Sequence, residues 1–239
     1  QSYKNLELLI TDDASTDPTT LQLLQEFASK DNRVNILYLK ENHGAGYARN
    51  QSIERAKGRY IAFCDSDDRW TTDKLEKQIA FMNKKKCALS CASYIIFDGE
   101  TQNEIGFCTA PKKITYGMMK RDNKVGCLTA IYDVQMLGRK FFMPTIRKRQ
   151  DWALFLQIIR ECKVCYAYPD KPLAYYCMRR NSISSNKMSL MKYNIAVYKE
   201  ILGFHPIKAN LYFFTLFLPT YGAKILKRKF DSYTFTHQK

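Results

Sequence analysis

The sequence predicts an α/β protein whose mostly parallel sheet is flanked by helices. Two strand–helix units follow one another at the start of the chain, with strands predicted at residues 6–10 and 34–39 and helices beginning at Asp17 and Gly44. A third strand, predicted at residues 60–64, comes directly after them, and consecutive units of this kind form parallel sheets. Acidic clusters follow the first and the third strand, where open α/β sheets bind their ligands.

Each N-terminal element has a local signal. Both early strands are short and nearly continuous in apolar residues, as in strands buried on two faces. Asp17 followed by Pro18 predicts a helix start, with an aspartate cap and a proline in the first turn. The second helix opens at Gly44 and Gly46 and ends before Gly58. The side chains predicted on the buried face of the first helix are Leu21, Leu24, Phe27 and Ala28.

The rest of the chain continues this alternation. Helical periodicity predicts helices at residues 72–84 and 150–162, and apolar runs predict strands at residues 88–97, 125–132 and 164–168. From residue 189 the chain is predicted to be helical as far as Gly203, and residues 211–230 form an aromatic, amphipathic stretch. We therefore expect a catalytic domain at residues 1–188 and a basic, aromatic C-terminal extension at residues 189–239.

Composition excludes several classes of protein. The chain has 239 residues, of which 46% are hydrophobic and 26% charged, as in an ordinary globular protein. Its apolar stretch at residues 211–218 is far shorter than the roughly 20 residues of a membrane-spanning helix. The first residues are polar and lack the pattern of a signal peptide, so we expect a cytoplasmic protein. Eight cysteines in such a chain predict reduced, mostly buried thiols rather than disulfides or a zinc site.

The formal net charge is +15, and the basic excess is greatest in the C-terminal extension. Such a segment suits an anionic partner, namely nucleic acid, a lipid headgroup or a phosphorylated substrate, and a solvated basic face is an equal alternative. The apolar run at residues 211–218, followed by Lys224, Lys227, Arg228 and Lys229, fits peripheral contact with the inner face of the cell membrane. A hydrophobic flap that packs on the catalytic domain explains the same residues.

The two acidic clusters predict one binding crevice. Asp12 and Asp13 follow the first strand, and Asp65-Ser66-Asp67-Asp68 follows the third. Crowded carboxylates repel one another unless they share a proton, bind a ligand or hold a cation. The second cluster lacks the residues of a dehalogenase nucleophile motif or of a calcium loop, which leaves a DxD motif. Such a motif presents oxygen ligands to Mn²⁺ or Mg²⁺, which neutralises a diphosphate leaving group.

The glycine-rich segment before the second helix fits neither common nucleotide motif. Gly44-Ala45-Gly46 is followed by Arg49 where a dinucleotide fingerprint has its third glycine, and the sequence has no GxxxxGK[ST] loop. Arg49 at the beginning of a helix is placed to meet a phosphate or the first acidic cluster, and an ordinary surface arginine is a comparable alternative.

Taken together, these residues resemble the family 2 inverting glycosyltransferases of the GT-A fold, a Rossmann-like fold. The resemblance covers residues 1 to about 186, and its motifs are specific in order and spacing. They are ITDDASTD (10–17), NHG (42–44), ARN (48–50), GRYIAFCDSDD (58–68), QDW (150–152), LAYY (173–176) and SIS (182–184).

The resemblance implies a role for each acidic residue. Asp12 and Asp13 are expected to meet the uracil or ribose of a nucleotide-sugar donor, a UDP-sugar or a similar one. The turn of Asp65, Ser66, Asp67 and Asp68, together with Arg49, is expected to bind the donor and the metal ion.

The metal ligands implied are Asp67, Asp65 and Asp68. Asp151 falls where the family has its catalytic base, with Gln150 in place of the usual glutamate. An aspartate that only stabilises a helix N-terminus is the alternative for Asp151. The arginines and lysine at 147–149, with Arg179 and Arg180, flank the expected acceptor side, where the acceptor is a glycan or a lipid-linked sugar of surface polysaccharide synthesis.

One departure from the family pattern concerns the N-terminus. Members normally begin with another strand, which ends in a Pro-x-Tyr-Asn-like motif, and a helix, and here the resemblance starts after both. Because that strand lies centrally in the sheet, its neighbours would keep unpaired backbone groups. We therefore expect this chain to be less than fully active. The rival interpretations are a non-catalytic remnant and a basic nucleic-acid-binding module, although no nucleic-acid motif is present and we expect no nucleic-acid partner.

Overall fold

The α/β class is confirmed by the structure, a computed structural model that describes residues 1–179 and 187–237, and the side chains of all of these but residues 187–189. The strands are β1 (Leu8–Asp12), β2 (Val34–Tyr38), β3 (Tyr60–Ala62), β4 (Arg69–Trp70), β5 (Leu89–Ala92), β6 (Tyr94–Asp98), β7 (Glu104–Cys108), β8 (Lys113–Thr115), β9 (Ile131–Asp133), β10 (Val164–Tyr168) and β11 (Ala174–Met178). The α-helices are α1 (Pro18–Lys30), α2 (Ala45–Arg55), α3 (Lys74–Lys85), α4 (Tyr116–Arg121), α5 (Val134–Leu137), α6 (Gln150–Cys162), α7 (Lys187–Ala196), α8 (Pro206–Tyr212) and α9 (Leu218–His237).

The strands form three mixed or parallel groups. β1 pairs with β2 in parallel, with Leu8 opposite Val34. A five-stranded sheet has the order β3-β9-β5-β10-β8, and a four-stranded sheet has the order β4-β11-β6-β7. Both larger sheets combine parallel pairs, such as β5 with β10, and antiparallel pairs, such as β3 with β9. The third predicted strand pairs antiparallel with β9 rather than in parallel with β1. The two larger sheets are therefore mixed, where the sequence predicted a mostly parallel sheet.

Two strand predictions need correction. The run predicted as one strand at residues 88–97 is divided at Ser93, with β5 in the five-stranded sheet and β6 in the four-stranded sheet. The run at residues 125–132 becomes a strand only at its end, because a 3₁₀ turn at Cys127–Thr129 precedes β9. The Thr129 amide and hydroxyl both donate to the carbonyl of Gly126, at 3.0 Å each, and so fix that turn.

A capping signal and helical periodicity each predicted a helix correctly. The Asp17 side chain caps α1 by accepting from the amides of Thr19 and Thr20, and α6 has the predicted bounds of 150–162. The buried face predicted for α1 is wrong in part, since Phe27 is 58% exposed. This helix lies beside a two-stranded pair that covers only part of it.

The main core is built around α6, and the C-terminal extension packs into it. Trp152 and Phe155 are fully buried in one hydrophobic cluster with Phe213 and Phe217 of the extension. The rings of Trp152 and Phe217 lie 5.5 Å apart. One face of the extension therefore packs as a flap on the catalytic region. The division into residues 1–188 and 189–239 stays a prediction.

A buried lysine lies at the start of α3. Lys74 is 0% exposed, its ammonium lies 4.3 Å from the centre of the Trp70 ring, and its Nζ is buried with no hydrogen-bond partner. Burial lowers the pKa of Lys74 to about 7. An unfolded lysine titrates near pH 10.4, so the unfolded chain binds more protons than the folded chain between these two values. Stability should therefore rise with pH across this window.

We predict that Lys74→Met raises the free energy of unfolding at about pH 6, because it removes a buried charge without a hydrogen-bond acceptor. This gain in the free energy of unfolding should shrink between about pH 7 and pH 10, because Lys74 in the folded wild type loses its proton and no longer buries a charge. Denaturant unfolding across this range measures the effect, with exposed Lys84→Met on the same helix as control. A gain that does not change with pH would contradict this assignment.

Candidate active site

The first acidic cluster is tied to the beginning of α2. The Asp13 carboxylate accepts from the amides of His43 and Gly44, at 2.8 and 2.7 Å. The Asn42 side chain donates to the Asp13 carbonyl at 3.0 Å. Gly44 has φ +88°, a conformation that favours glycine, so this junction depends on the glycine as well as on the aspartate. The end of β1 and the start of α2 are thereby joined.

Asp12 closes the turn that follows β1. Its carboxylate is buried and accepts from the Ser15 amide at 3.0 Å, while its carbonyl accepts from Leu39 at 2.9 Å. Both aspartates of the first cluster thus organise backbone at the sheet edge. Their contacts with a nucleotide stay predictions.

Arg49 joins the first cluster to the second. It lies one and a half turns into α2, and its guanidinium pairs with the Asp65 carboxylate. Burial opposes the charge, but the nearby charges of Asp65 and Asp151 prevail and raise the pKa of Arg49. Arg49 follows Gly44 by five positions, about 7.5 Å along the helix axis. The structure therefore brings Asp65 and Asp151 near this arginine, while Asp13 binds the start of the same helix.

The DSDD segment forms a tight turn in which each carboxylate has a partner. The Asp68 amide donates to the Asp65 carbonyl at 3.0 Å, and Ser66 is exposed at the turn. The Asp67 carboxylate lies 3.4 Å from Arg179 Nε. The Asp68 carboxylate accepts from the Cys177 amide at 2.9 Å. Burial and then the charges of Asp65 and Asp67 raise the pKa of Asp68 to about 7, against the effect of that hydrogen bond.

These carboxylates suit a cation that is shared with a substrate. Among residues 1–179 and 187–237, no three His, Cys, Asp or Glu side chains are arranged as a complete metal site. Mg²⁺ is commonly held by only one or two carboxylates together with substrate phosphates, so a metal site made entirely of protein ligands is not required. Burial is the largest cause of the raised pKa of Asp68, and the charges of Asp65 and Asp67 add to it. The donor set thus fits Mn²⁺ or Mg²⁺ bound jointly by Asp67, Asp65 or Asp68 and a diphosphate.

Asp151 lies in the first turn of α6, near Arg49. Its carboxylate accepts from Asn123 Nδ2 at 2.9 Å. The neighbouring Gln150 side chain packs so closely on Gly46 that a β-carbon at Gly46 would collide with it. The start of α6 therefore lies against α2, within electrostatic range of Arg49.

Sequence reasoning missed residues that hold this site together. Asn123 has no recognisable motif, and its role depends on a side chain 28 positions away. Cys127 lies among the charged groups, since burial and then the charges of Asp151 and Asp65 raise its pKa well above the usual value, against the effect of Arg49. Arg179 was expected on the acceptor side, and it lies against Asp67. The expected contributions of Arg180 and of residues 182–184 lie outside the described residues.

Comparisons with known proteins find relatives that bear glycosyltransferase names. TuaG of Bacillus subtilis (strain 168), named as a candidate teichuronic acid biosynthesis glycosyltransferase, is 41% identical over 210 residues, which are 88% of this chain and 82% of TuaG. WfgD of Escherichia coli, named as a UDP-Glc:α-D-GlcNAc-diphosphoundecaprenol β-1,3-glucosyltransferase, is 36% identical over 192 residues, 80% of this chain and 73% of WfgD.

The fold has solved neighbours. Staphylococcus aureus TarS 1–349 in complex with UDP-GlcNAc superposes with a TM-score of 0.64 at 18% identity, over 89% of this chain. This chain spans 63% of that solved chain, less than two thirds of it. Mannosyltransferase PcManGT from Pyrobaculum calidifontis, in complex with GDP-Man and Mn²⁺, superposes with a TM-score of 0.61 at 15% identity, over 95% of this chain and 67% of its own.

The sequence profile of one family, described as glycosyl transferase family 2, matches residues 1–142, more than half of the chain. That region contains both acidic clusters and Arg49. The relatives at 41% and 36% identity bear glycosyltransferase names and extend the match beyond Asp151. This protein belongs to glycosyl transferase family 2.

Proposed function

We propose that this protein transfers a sugar from a nucleotide-sugar donor, a UDP-sugar, to a glycan or lipid-linked acceptor in cell-surface polysaccharide biosynthesis, with inversion of the anomeric centre. The observation that carries the proposal is the position of Arg49, paired with Asp65 and within electrostatic range of Asp151. This position supports the proposal that the DSDD turn binds the donor and that Asp151, close to it, is the base. The names of WfgD and TuaG support the substrate class and the process.

The donor would bind across the two acidic strand ends. Asp12 and Asp13 face the nucleoside, and Asp65, Ser66 and Arg49 lie where the diphosphate is expected. Mn²⁺ or Mg²⁺, when bound by Asp67 with Asp65 or Asp68, would neutralise charge on the leaving diphosphate. Arg49 and Arg179 already place positive charge beside these carboxylates. The positions of the arginines therefore favour an anionic ligand at an otherwise acidic turn.

Asp151 would act as the base in a single displacement. Its carboxylate takes the proton of an acceptor hydroxyl as the hydroxyl oxygen attacks the anomeric carbon. The bond from that carbon to the diphosphate oxygen breaks, and the diphosphate leaves with the electron pair. Attack opposite to the leaving group gives a product of inverted configuration. Among the described residues, the Asp151 carboxylate accepts only from Asn123 and only at Oδ2, which leaves the second oxygen for the acceptor hydroxyl.

The exposed face of the C-terminal helices supports a lipid-linked acceptor. Beyond the buried Phe213 and Phe217, α8 and the following turn expose a second apolar stripe at helical spacing. Its members are Ile207 (74% exposed), Leu211 (62%), Phe214 (54%) and Leu218 (38%). Lysines and an arginine flank the stripe at Lys208, Lys227, Arg228 and Lys229. Across the described residues no helix is long and apolar enough to cross a bilayer. We propose that this face rests on an anionic lipid surface.

The donor site makes a direct prediction. UDP should bind the wild type in the presence of Mn²⁺ and bind Asp67→Ala at least about tenfold more weakly, because a carboxylate of the shared cation site is lost. Calorimetric titration measures both affinities. Asp31→Ala is the matched control, since its carboxylate pairs with Arg33 at the opposite end of β2.

A folded wild type that binds no UDP would favour the non-catalytic remnant. Oligonucleotide binding with no response to UDP and metal would favour the nucleic-acid module. Equal affinities of wild type and Asp67→Ala would overturn the assignment of the DSDD turn as the donor site.

The lipid surface makes a second prediction. The wild type should sediment with phosphatidylglycerol vesicles more than with phosphatidylcholine vesicles, and Leu211→Glu with Phe214→Glu should reduce the binding at least about tenfold. The control is Leu23→Glu with Phe27→Glu on α1, which exposes similar side chains without the basic flank. Equal losses for both pairs of substitutions would contradict a specific lipid-binding face.

A further inference from the structure

The carboxylate of Asp151 is held by a loop that is itself held by the C-terminal helix. The loop spans residues 122–126, between α4 and the 3₁₀ turn. Asn123 donates from Nδ2 to Asp151 Oδ2 at 2.9 Å. Its own Oδ1 accepts from the Val125 amide at 3.1 Å. Because a backbone amide can only donate, Oδ1 must face Val125, and the Nδ2 hydrogens therefore point to Asp151.

Lys224 of α9 anchors this loop from the other side. Its Nζ donates to the Asn123 carbonyl at 2.6 Å and lies 2.9 Å from the Asp122 carboxylate. Asp122 is only 3% exposed, and Lys124 Nζ is its second cationic partner, at 3.1 Å. A buried carboxylate that has two cations holds a loop more firmly than an exposed ion pair does. A side chain 101 residues away thus fixes the backbone position of Asn123.

We infer that Asn123 is a positioning residue for Asp151, and that Lys224 makes the C-terminal extension part of the catalytic arrangement. The inference rests on the proposed function, in which Asp151 is the base. Asn123 fixes the rotation of the carboxylate, so that the oxygen opposite Oδ2 meets the acceptor hydroxyl. A base that is held by one oxygen keeps the other in a defined direction, and small misplacements of a reacting group are costly to the rate. Removal of Lys224 should therefore act on catalysis through Asn123 without a contact with either substrate.

The test uses full-length variants and separates positioning from folding and from donor binding. Asn123→Asp keeps the acceptor for the Val125 amide and loses the donor to Asp151. Lys224→Met removes the anchoring charge, while Asp122 keeps Lys124 as a partner. Lys224→Arg is the conservative variant that should rescue the effect. Lys199→Met, an exposed lysine of the same C-terminal extension, is the matched control. Asp151→Asn gives the reference value of kcat for an enzyme that lacks the base.

Three quantities are measured. They are kcat for transfer from the most active of a panel of UDP-sugars, the Kd of UDP with Mn²⁺, and the side-chain amide signals of Asn123 in a ¹H–¹⁵N spectrum. Those signals are assigned by their disappearance in Asn123→Asp. Asn123→Asp should lower kcat at least about tenfold, with the Kd of UDP within about twofold of wild type. Lys224→Met should shift the Asn123 signals and lower kcat by a smaller factor, and Lys224→Arg should restore both.

Unchanged Asn123 signals and unchanged kcat in Lys224→Met would overturn the inference. A UDP affinity that falls as much as kcat would also overturn it, since the loop would then support the donor site rather than the base. If the wild type transfers none of the sugars, the proposed function fails separately. The Asn123 signals of Lys224→Met then still decide whether the C-terminal helix holds this side chain on Asp151.

Discussion

The geometry of the site depends on two contacts of helix α2, one at its start and one further along it. At its start, the amides of His43 and Gly44 bind Asp13, and further along Arg49 binds Asp65. The β1–β2 pair shares no strand ladder with the larger sheets among the described residues. Its position relative to the DSDD turn is set by contacts of α2 together with contacts of residues 1–7. The Glu7 carboxylate accepts from the amides of Lys57 and Gly58, and the Ser2 amide donates to the Thr72 carbonyl.

Polar contacts along α2 add to this connection. Ser52 donates to the Leu9 carbonyl at 3.3 Å, and Arg55 donates to the Ile10 carbonyl at 3.2 Å, so both groups satisfy backbone of β1. On another side, the Asn50 side chain exchanges two hydrogen bonds with the backbone of Met143, at 2.8 and 2.7 Å. Met143 lies in the segment that leads to α6. One helix therefore contacts β1, the DSDD turn and the segment that leads to the helix bearing Asp151.

Much of the site could be predicted from the sequence because its members follow strands or begin helices. Asp17, Gly44 and the DSDD turn have local signals that act within a few residues, and the structure places them as expected. Asn123 and Lys224 could not be found in this way. Their partners lie 28 and 101 positions away, so their roles arise only from packing of the extension on α4 and α6. The division of the run at residues 88–97 between two sheets is of the same kind, since it depends on the partners of each half.

The Arg49–Asp65 ion pair is partly exposed, with 26% of the arginine side chain and 40% of the aspartate side chain accessible. Pairs of this kind add little to stability, typically about 1 kcal/mol or less. The ion pair therefore matters mainly because it orients the two side chains. Its loss should change the affinity for ligand more than the free energy of unfolding. The most direct test is a double-mutant cycle on the affinity for UDP with Mn²⁺, using Arg49→Met, Asp65→Asn and the double variant. If the two residues act as one unit, Arg49→Met should weaken UDP binding in the wild type and have little further effect in the Asp65→Asn background, with a coupling of about 0.5–3 kcal/mol. Equal effects of Arg49→Met in both backgrounds, or no effect in either, would contradict the claim that α2 builds the donor site through this pair.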